Sequence, residues 1–341
     1  MTQLSEAVEL EDVERAARVL ITSCLTLSPG ENLIVISDHA VPNVAEAIAR
    51  VARNLGCRVI WFRLAEHGVR PFKLLPNALQ SALAEAHASV FVASAPHNEL
   101  GMRQHLLHLV KQHGVKHAHM PSISSLAFSR GLRLDYREVE SAGRRVLDKL
   151  SGARALQVTS PAGTNLEVLL PPRARWFPQL GVLEPGRWGN LPAGALYTNP
   201  EHVSGRFVAN ASVGEFFGAR HGLLQDTPVH LVLERGRVTR LTCPQAPELQ
   251  RDIVRMLACS ENSSRVGLIC IGVNPSIPTA TGEALVDQNL PGLHLSIGDP
   301  AAKVTGAGWS APTAFAACQA FSSVLIEDVP LIERGQLLTP N

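Results

Sequence analysis

A histidine, a serine and an aspartate stand close together in the last quarter of the chain, and their types could support nucleophilic hydrolysis. They are His294, Ser296 and Asp299. Alternation along a strand would place His294 and Ser296 on the same face. A catalytic triad is defined by geometry, however, and the chain contains no G-x-S-x-G turn to expose a nucleophilic serine. The pattern therefore leaves two interpretations of His294 open, a hydrogen-bonded core residue or a residue that lines a ligand site.

A second group of histidines lies between residues 105 and 119 and raises the question of a metal site. Its members are His105, His108, His113, His117 and His119. His105 and His108 are three residues apart and would share a helix face, a spacing that can bind a metal. A polar helix face and strand ends account for most of this group, so we interpret it as structural.

Composition and charge restrict the class of protein. The chain has 341 residues, 45% of them hydrophobic, and a formal net charge of +1. The length and the hydrophobic content predict about two domains with a sizeable core. The near-zero net charge gives no electrostatic field that would recruit nucleic acid. The six cysteines form no C-x-x-C pair, which indicates reduced thiols. The acidic N-terminus and the lack of an apolar run of about 18 residues predict a cytoplasmic protein without a signal peptide or membrane span.

Helical and strand patterns alternate in the first half of the chain. Helical spacing over 6–27 ends at a Pro-Gly pair. The further helices and strands that we predict are, in order, strand 32–37, helix 42–56, strand 57–62, helix 76–87, strand 89–94, helix 101–113, strand 116–120 and helix 135–150. This alternation predicts an α/β domain over 1–150, with a Rossmann-like, doubly wound parallel sheet. Neither G-x-G-x-x-G nor G-x-x-x-x-G-K-[ST] occurs, so the fold alone does not predict a nucleotide.

The second half, residues 151–341, has the sequence pattern of a β-rich α+β domain. Residues 155–160 and 164–170 read as a β-hairpin around a Pro-Ala-Gly turn. One helix is clear, at 245–259. The other strand-like segments are 206–213, 228–234, 237–243, 266–271, 292–297 and 322–327.

Four short segments occur in a recognisable order through this second half. They are Val158-Thr-Ser-Pro-Ala-Gly-Thr164, Asn190-Leu-Pro-Ala-Gly194 with Tyr197-Thr-Asn-Pro200, Ile271-Gly-Val-Asn-Pro275, and Leu293-His-Leu-Ser-Ile-Gly298. Together they resemble the aminopeptidase T-type (thermophilic leucyl aminopeptidase) metallopeptidases, whose superfamily also includes the 2,5-dihydroxypyridine dioxygenases. The resemblance implies a Rossmann-like N-terminal domain, a β-rich C-terminal domain, a cleft between them and a homodimer.

The same resemblance implies two divalent metals held by two glutamates, two histidines and an aspartate. In this sequence the glutamate positions carry Ala195 and Leu268, and the first histidine is present as His294. The second histidine and the aspartate fall on Phe321 and Ser323. A catalytic metal site ordinarily needs about three protein ligands. We therefore expect a degenerate member of the family, with no metal cofactor.

Other side chains could rebuild a metal site, or could bind a ligand without one. The possible replacement ligands are Glu201, His202, Glu215, His221, Glu283, Asp287 and Asp299, although exposed loop carboxylates are usually just solvated. The residues that we predict to bind a ligand are Tyr197, Glu201, His202, Asn274, His294, Ser296, Trp309 and Phe321. Trp309 follows a glycine-rich loop and is expected to stack on the ligand.

Loss of metal ligands beside retained cleft segments favours a peptide-binding protein over an active metallopeptidase. Such a pseudoenzyme could assist a peptide-tailoring enzyme in natural-product biosynthesis. Two alternatives stay open. One is a metal-dependent hydrolase or ring-cleaving dioxygenase relative with a remodelled site, and the other is a purely structural oligomer partner.

Overall fold

The computed structural model describes residues 9–338, and its first part alternates strands with helices. The elements up to residue 150 are α1 (Leu10–Val19), β1 (Asn32–Ser37), α2 (Pro42–Asn54), β2 (Arg58–Arg63), α3 (Asn77–Leu83), β3 (Ala88–Val92), α4 (Leu100–His113), β4 (Lys116–His119), α5 (Ser125–Gly131) and α6 (Tyr136–Leu150). A π-helical turn, Leu20–Cys24, continues α1. The predicted alternation is confirmed; the start of the helix expected over 6–27 lies outside the described residues.

Beyond residue 150 the chain is mostly strand, as its proline and glycine content predicts. The elements are β5 (Ala155–Thr159), β6 (Asn165–Leu169), β7 (Phe177–Gln179), β8 (Trp188–Asn190), β9 (Ala195–Thr198), β10 (His202–Ala209), β11 (Ser212–Val213), α7 (Glu215–His221), β12 (Val229–Glu234), β13 (Arg237–Thr242), α8 (Pro247–Leu257), β14 (Val266–Gly272), α9 (Ala284–Asp287), β15 (Gly292–Gly298), α10 (Ala302–Thr305), β16 (Ala314–Cys318), β17 (Ser323–Ile326), β18 (Val329–Glu333) and β19 (Gln336–Leu337). The sequence predicted α8 but not α7, α9 or α10, which are too short to show helical periodicity.

Sheet A is parallel and has the strand order β2-β1-β3-β4-β8. Strand β1 is almost wholly apolar and buried, as expected for a strand covered on both faces. The order reverses between β1 and β3, which is the topological switch point of a doubly wound sheet. The fifth strand, β8, lies beyond residue 150. The sequence did not predict it, because a strand of three residues is too short to show a strand pattern.

Two compact units divide the chain. One consists of residues up to Glu138 together with Gly181–Pro192, and therefore contains all of sheet A. The other consists of Val139–Leu180 and the residues from Ala193 onward. The boundary falls inside α6.

The second unit contains two antiparallel sheets that share one core. Sheet B has the order β13-β12-β10-β6-β5-β17-β18-β19, and sheet C has the order β11-β16-β15-β14-β9-β7. Alternating burial along β6 shows one face of sheet B packed inward and the other in solvent. Leu156, Phe207, Ile271 and Leu295 are among the core side chains. This parallel sheet followed by β-rich layers confirms the predicted fold class.

Among the described residues, no helix is both long and apolar enough to cross a bilayer.

Candidate functional site

Three of the five positions at which the resemblance implies metal ligands lie on one face of sheet C. Tyr197 of β9 lies opposite Cys270 of β14, and Cys270 lies opposite His294 of β15. Residues directly opposite in an antiparallel sheet point to the same face, as do residues two apart in one strand. Ala195 and Leu268 therefore share the face of His294. The fold brings three of the five expected ligand positions together, although only one of them carries a ligand-type side chain.

His294 is buried, and hydrogen bonds occupy both of its ring nitrogens. Its Nε2 donates to the carbonyl oxygen of Leu290 at 2.9 Å, and its Nδ1 accepts from the backbone N–H of Gln319 at 3.3 Å. Burial lowers the pKa of His294 to about 4, because the charged imidazolium is poorly solvated there. A ring nitrogen binds a metal through a free lone pair, and neither nitrogen has one available.

The other two residues of this cross-strand row, Cys270 and Tyr197, are also uncharged. The thiol of Cys270 donates to the carbonyl oxygen of Gln288 at 3.2 Å, and burial raises its pKa. Burial likewise raises the pKa of the Tyr197 phenol, which is hydrogen-bonded to Cys270. The row Tyr197, Cys270 and His294 thus carries no anionic oxygen or sulfur that could balance the charge of a divalent ion.

The segment from α9 to Leu290 covers the centre of this face. A Cβ added to Gly272 of β14 would lie 1.9 Å from the carbonyl oxygen of Leu290, so the covering backbone lies directly on the strand. Within the segment, the carboxylate of Asp287 accepts from the backbone N–H of Thr281 at 2.7 Å and from that of Gly282 at 3.0 Å. Asp287, one of the possible replacement ligands, therefore stabilises this segment from α9 to Leu290, which we call the cover.

Taken together, the residues present do not fit a divalent metal. Ala195 and Leu268 have no donor atom, and both nitrogens of His294 are engaged. Ser323 Oγ accepts from the backbone N–H of Arg334 at 2.9 Å. In the stretch 9–338, no three His, Cys, Asp or Glu side chains are grouped so that they could hold a metal ion.

The remaining predicted site residues lie in several places of the second unit. Asn274 joins the segment Ile271–Pro275 to the segment Asn190–Gly194, because its Nδ2 donates to the carbonyl oxygen of Ala193 at 2.7 Å. Ser296 is half-buried opposite Leu268. Glu201 and His202 are exposed where β10 begins. Their assignment as ligand-binding residues stays a prediction.

Trp309 lies in the segment between β15 and β16 and is half-buried. The guanidinium carbon of Arg265 is 4.0 Å from the centroid of its ring, a cation–π contact. Asp299 holds the start of this segment by accepting from the backbone N–H of Ala301 and of Ala311, each at 3.2 Å. Asp299 is thus engaged with its own loop, and His294 with Leu290 and Gln319, so the structure gives no triad arrangement.

Phe321 lines a cavity of about 550 Å³ in the second unit. The lining residues are Pro161, Phe321, Glu333, Arg334, Gln336 and Leu338. Phe321 is 55% exposed and has a φ of 58°, a conformation that is rare for a bulky residue. Sequence reasoning singled out Phe321 but missed Glu333 and Arg334. They carry no motif, and they reach the cavity through the β18–β19 turn.

The carboxyl ends of β1 and β3, where nucleotides bind in many doubly wound sheets, are occupied by an arginine network. Arg70 donates to Asp38, to Glu99 and to both the hydroxyl and the carbonyl oxygen of Ser94. Burial raises the pKa values of both carboxyl groups, but hydrogen bonds outweigh it and hold them below their usual range. For Asp38 the bonds from Ser94 and Ala40 contribute more than the bond from Arg70, and for Glu99 the bond from Arg70 contributes most. The charges of Arg70, Asp38 and Glu99 are therefore paired with one another within the network.

The histidine group of the first unit is structural where it is buried. His117 Nδ1 is 2.8 Å from Ser89 Oγ, and His117 Nε2 is 3.2 Å from His119 Nδ1. Burial lowers the pKa of His119 to about 3, with a smaller contribution from Arg103. These contacts agree with the structural interpretation of the group.

Comparisons with known proteins find a family that matches the sequence and solved structures that share the fold. Residues 14–258 match the family described as NicX, 2,5-dihydroxypyridine 5,6-dioxygenase. The solved 2,5-dihydroxypyridine dioxygenase from Pseudomonas putida KT2440 is 18% identical, with a TM-score of 0.66 over 98% of this chain and 99% of that chain. Wild-type AmpT from Thermus thermophilus is also 18% identical, with a TM-score of 0.65 over 96% and 99%.

No curated protein matches the sequence significantly. The fold expected from the four segments is thus that of solved AmpT, while the family match names the 2,5-dihydroxypyridine dioxygenases. Because that match covers well over half of the residues, the chain belongs to the 2,5-dihydroxypyridine 5,6-dioxygenase family.

Proposed function

We propose that this protein is a metal-independent, peptide-binding member of its family. The observation that carries the proposal is the state of His294, whose two ring nitrogens are both engaged in a buried site. Ala195 and Leu268 on the same face of sheet C supply no donor atom. A metal that bound either nitrogen of His294 would have to displace one hydrogen bond of a buried ring and would still find one ligand instead of three.

Loss of the metal removes the chemistry that a metal centre supplies, namely activation of water or oxygen and polarisation of a carbonyl. Binding is then the role that remains for the scaffold. The choice of a peptide rests on analogy with the aminopeptidase T-type fold, which is a fold-level argument. In this proposal the protein presents a peptide to a peptide-modifying enzyme.

Metal content and turnover test the first half of the proposal. We expect purified protein, dialysed without chelator, to contain well under one Zn, Co, Mn or Fe ion per chain by elemental analysis. We also expect no hydrolysis of leucyl anilides after addition of cobalt or zinc. A stoichiometric metal, or turnover that a chelator abolishes, would show that the ligands lie elsewhere.

Peptide titration tests the second half. Calorimetry of the full chain against a panel of short peptides and longer leader-like peptides should give at least one dissociation constant below millimolar. If no peptide in the panel binds at that level, the peptide-binding proposal fails and a structural role becomes the better explanation.

A ring-cleaving dioxygenase with a remodelled site is the second candidate, and the family match itself favours it. That match ends at residue 258, before β14 and β15, which carry Leu268 and His294. Oxygen uptake with 2,5-dihydroxypyridine and added Fe(II) distinguishes the candidates. Uptake that depends on both the protein and the iron would favour the dioxygenase.

A further inference from the structure

The cavity beside Phe321 combines an exposed aromatic ring with one side chain of each charge. Phe321, Glu333 and Arg334 all contribute to its lining. We propose that this cavity binds short peptides by their free termini, with Arg334 pairing with the terminal carboxylate, Glu333 with the terminal ammonium and Phe321 with an apolar side chain. The inference rests on the proposed peptide-binding function and adds its location and its chemistry.

The backbone around Phe321 is fixed in the conformation that exposes the ring. Ala320 N–H donates to Asn210 Oδ1 at 2.8 Å, and Gly335 N–H donates to the carbonyl oxygen of Ser322 at 2.9 Å. Between these anchors Phe321 has its positive φ. Strained conformations that the surroundings hold in place are concentrated at ligand clamps and active sites. A large apolar side chain held in solvent at a local energy cost points to a binding role.

The two charges of the cavity have no partner of their own. In the described part of the chain, neither Glu333 nor Arg334 takes part in an ion pair, and both are exposed. Ser323 Oγ accepts from the backbone N–H of Arg334 and fixes the turn without using its guanidinium. Both side chains are therefore available to a ligand.

The cavity's size and its pair of charges restrict the ligand. Its volume of about 550 Å³ lies within the roughly 300–1,000 Å³ range of small-molecule sites. An uncharged aromatic ring would contact Phe321 and leave both charges unused. A short zwitterionic peptide with an apolar side chain uses all three groups.

A second hairpin turn has the same Glu-Arg-Gly sequence as the turn at the cavity and provides a matched control. Glu234-Arg235-Gly236 joins β12 to β13, as Glu333-Arg334-Gly335 joins β18 to β19. The φ values are 48° and 77° in the first turn and 45° and 79° in the second, and each arginine N–H donates to a serine Oγ. The first turn does not line the cavity. Matched substitutions in the two turns thus share the turn sequence and backbone conformation and differ in their relation to the cavity.

Calorimetry with leucyl-leucine tests the proposal on the full chain. Arg334→Ala should weaken binding about tenfold, the effect of losing one charge-assisted hydrogen bond. Amidation of the peptide's C-terminus should weaken binding to the wild type by a similar factor and to Arg334→Ala no further. Glu333→Gln should behave in the same way towards the N-acetylated peptide. Phe321→Ala should also weaken binding about tenfold.

The controls separate failure of this site from failure of the proposed function. Arg235→Ala and Glu234→Gln should bind leucyl-leucine as the wild type does. If peptides bind but the cavity variants and modified termini have no effect, or only Trp309→Ala weakens binding, the site assignment is wrong while peptide binding stands. If no peptide of the wider panel binds, the proposed function itself fails. The modified peptides require no substitution, so a folding defect cannot produce the result.

Discussion

At His294, hydrogen bonds explain the role of a residue that the resemblance implies to be a metal ligand. A buried imidazole that donates through one nitrogen and accepts through the other joins β15 to Leu290 and to Gln319. Each of these contacts satisfies a backbone group that would otherwise be buried without a partner. The side chain therefore acts as a connection between the strand, the covering segment and the end of β16.

Replacing this histidine tests that role. His294→Ala should lower the free energy of unfolding by about 2–4 kcal/mol, because it leaves a cavity and two buried backbone groups without partners. Urea denaturation measures the change. His202→Ala, on an exposed strand position, is the control and should change stability by about 0.5 kcal/mol or less. Equal stabilities of the two variants would contradict the assignment of His294 as a structural connection.

At the scale of elements, the cover over sheet C depends on a close approach of two backbones. Gly272 leaves room for the carbonyl oxygen of Leu290, and Cys270 lies beneath the neighbouring Gln288. A methyl group at position 272 would meet backbone atoms rather than the end of a flexible side chain. The cover and the strand can therefore pack together only with glycine there.

Gly272→Ala should loosen the cover and make buried thiols reactive. In the wild type we expect one cysteine to react quickly with a thiol reagent, because Cys259 is exposed and the other five are buried. In Gly272→Ala, Cys270 should react as well, and stability should fall by about 1–3 kcal/mol from overpacking. Gly308→Ala is the control, since an added Cβ there meets nothing within 4 Å. An unreactive Cys270 in Gly272→Ala would show that the cover adapts without opening.

The Arg70 network holds the loop after β2 on the ends of β1 and β3. Asp38 and Glu99 are largely buried, with side-chain exposures of 8% and 0%. Arg70→Ala should cost about 3–5 kcal/mol of unfolding free energy, because it leaves two carboxylates without their cation. Arg15→Ala removes an exposed arginine that pairs with Glu11 and Asp12, and should cost about 1 kcal/mol or less. Denaturant unfolding of both variants gives the comparison, and similar losses would mean that the network contributes little.

For the whole molecule, buried histidines predict sensitivity to acid. Burial lowers the pKa of His294 to about 4 and of His119 to about 3, and also lowers that of His117. Their folded pKa values lie below the unfolded value of about 6.5, so the unfolded chain binds more protons. Their contribution to stability is complete above pH about 6.5 and is lost as the pH falls towards 4.

Urea midpoints measured between pH 7 and pH 5 should therefore fall steadily. Above pH about 5 the carboxyl groups of Asp38 and Glu99, whose pKa values are lowered, contribute little to this slope. His119→Gln should reduce the slope, whereas His202→Gln, at an exposed position, should leave it unchanged. A midpoint that stays constant from pH 7 to pH 5 would contradict neutral burial of these histidines.

Patterns of local periodicity were enough to predict much of the fold. Strands β1, β2 and β3 follow from runs of apolar residues, and the helices between them follow from helical spacing. β1 and β3 are almost wholly buried, because a parallel strand covered on both faces needs apolar side chains on both. The β5–β6 hairpin follows from its alternation and its Pro-Ala-Gly turn. Strand β8 could not be predicted, since three residues carry no period and its place beside β4 depends on contacts distant in sequence.

For the site, the sequence by itself showed that Ala195, Leu268 and His294 stand where the resemblance implies metal ligands. The tertiary structure decided what those side chains do. Cross-strand register placed the three on one face, and only the cover from α9 to Leu290 showed that both nitrogens of His294 are engaged. The cavity likewise joins Phe321 to Glu333 and Arg334 through a turn that no motif marks. Hydrogen-bond partners and cavities arise between segments far apart in the chain, and local sequence carries no record of their distances.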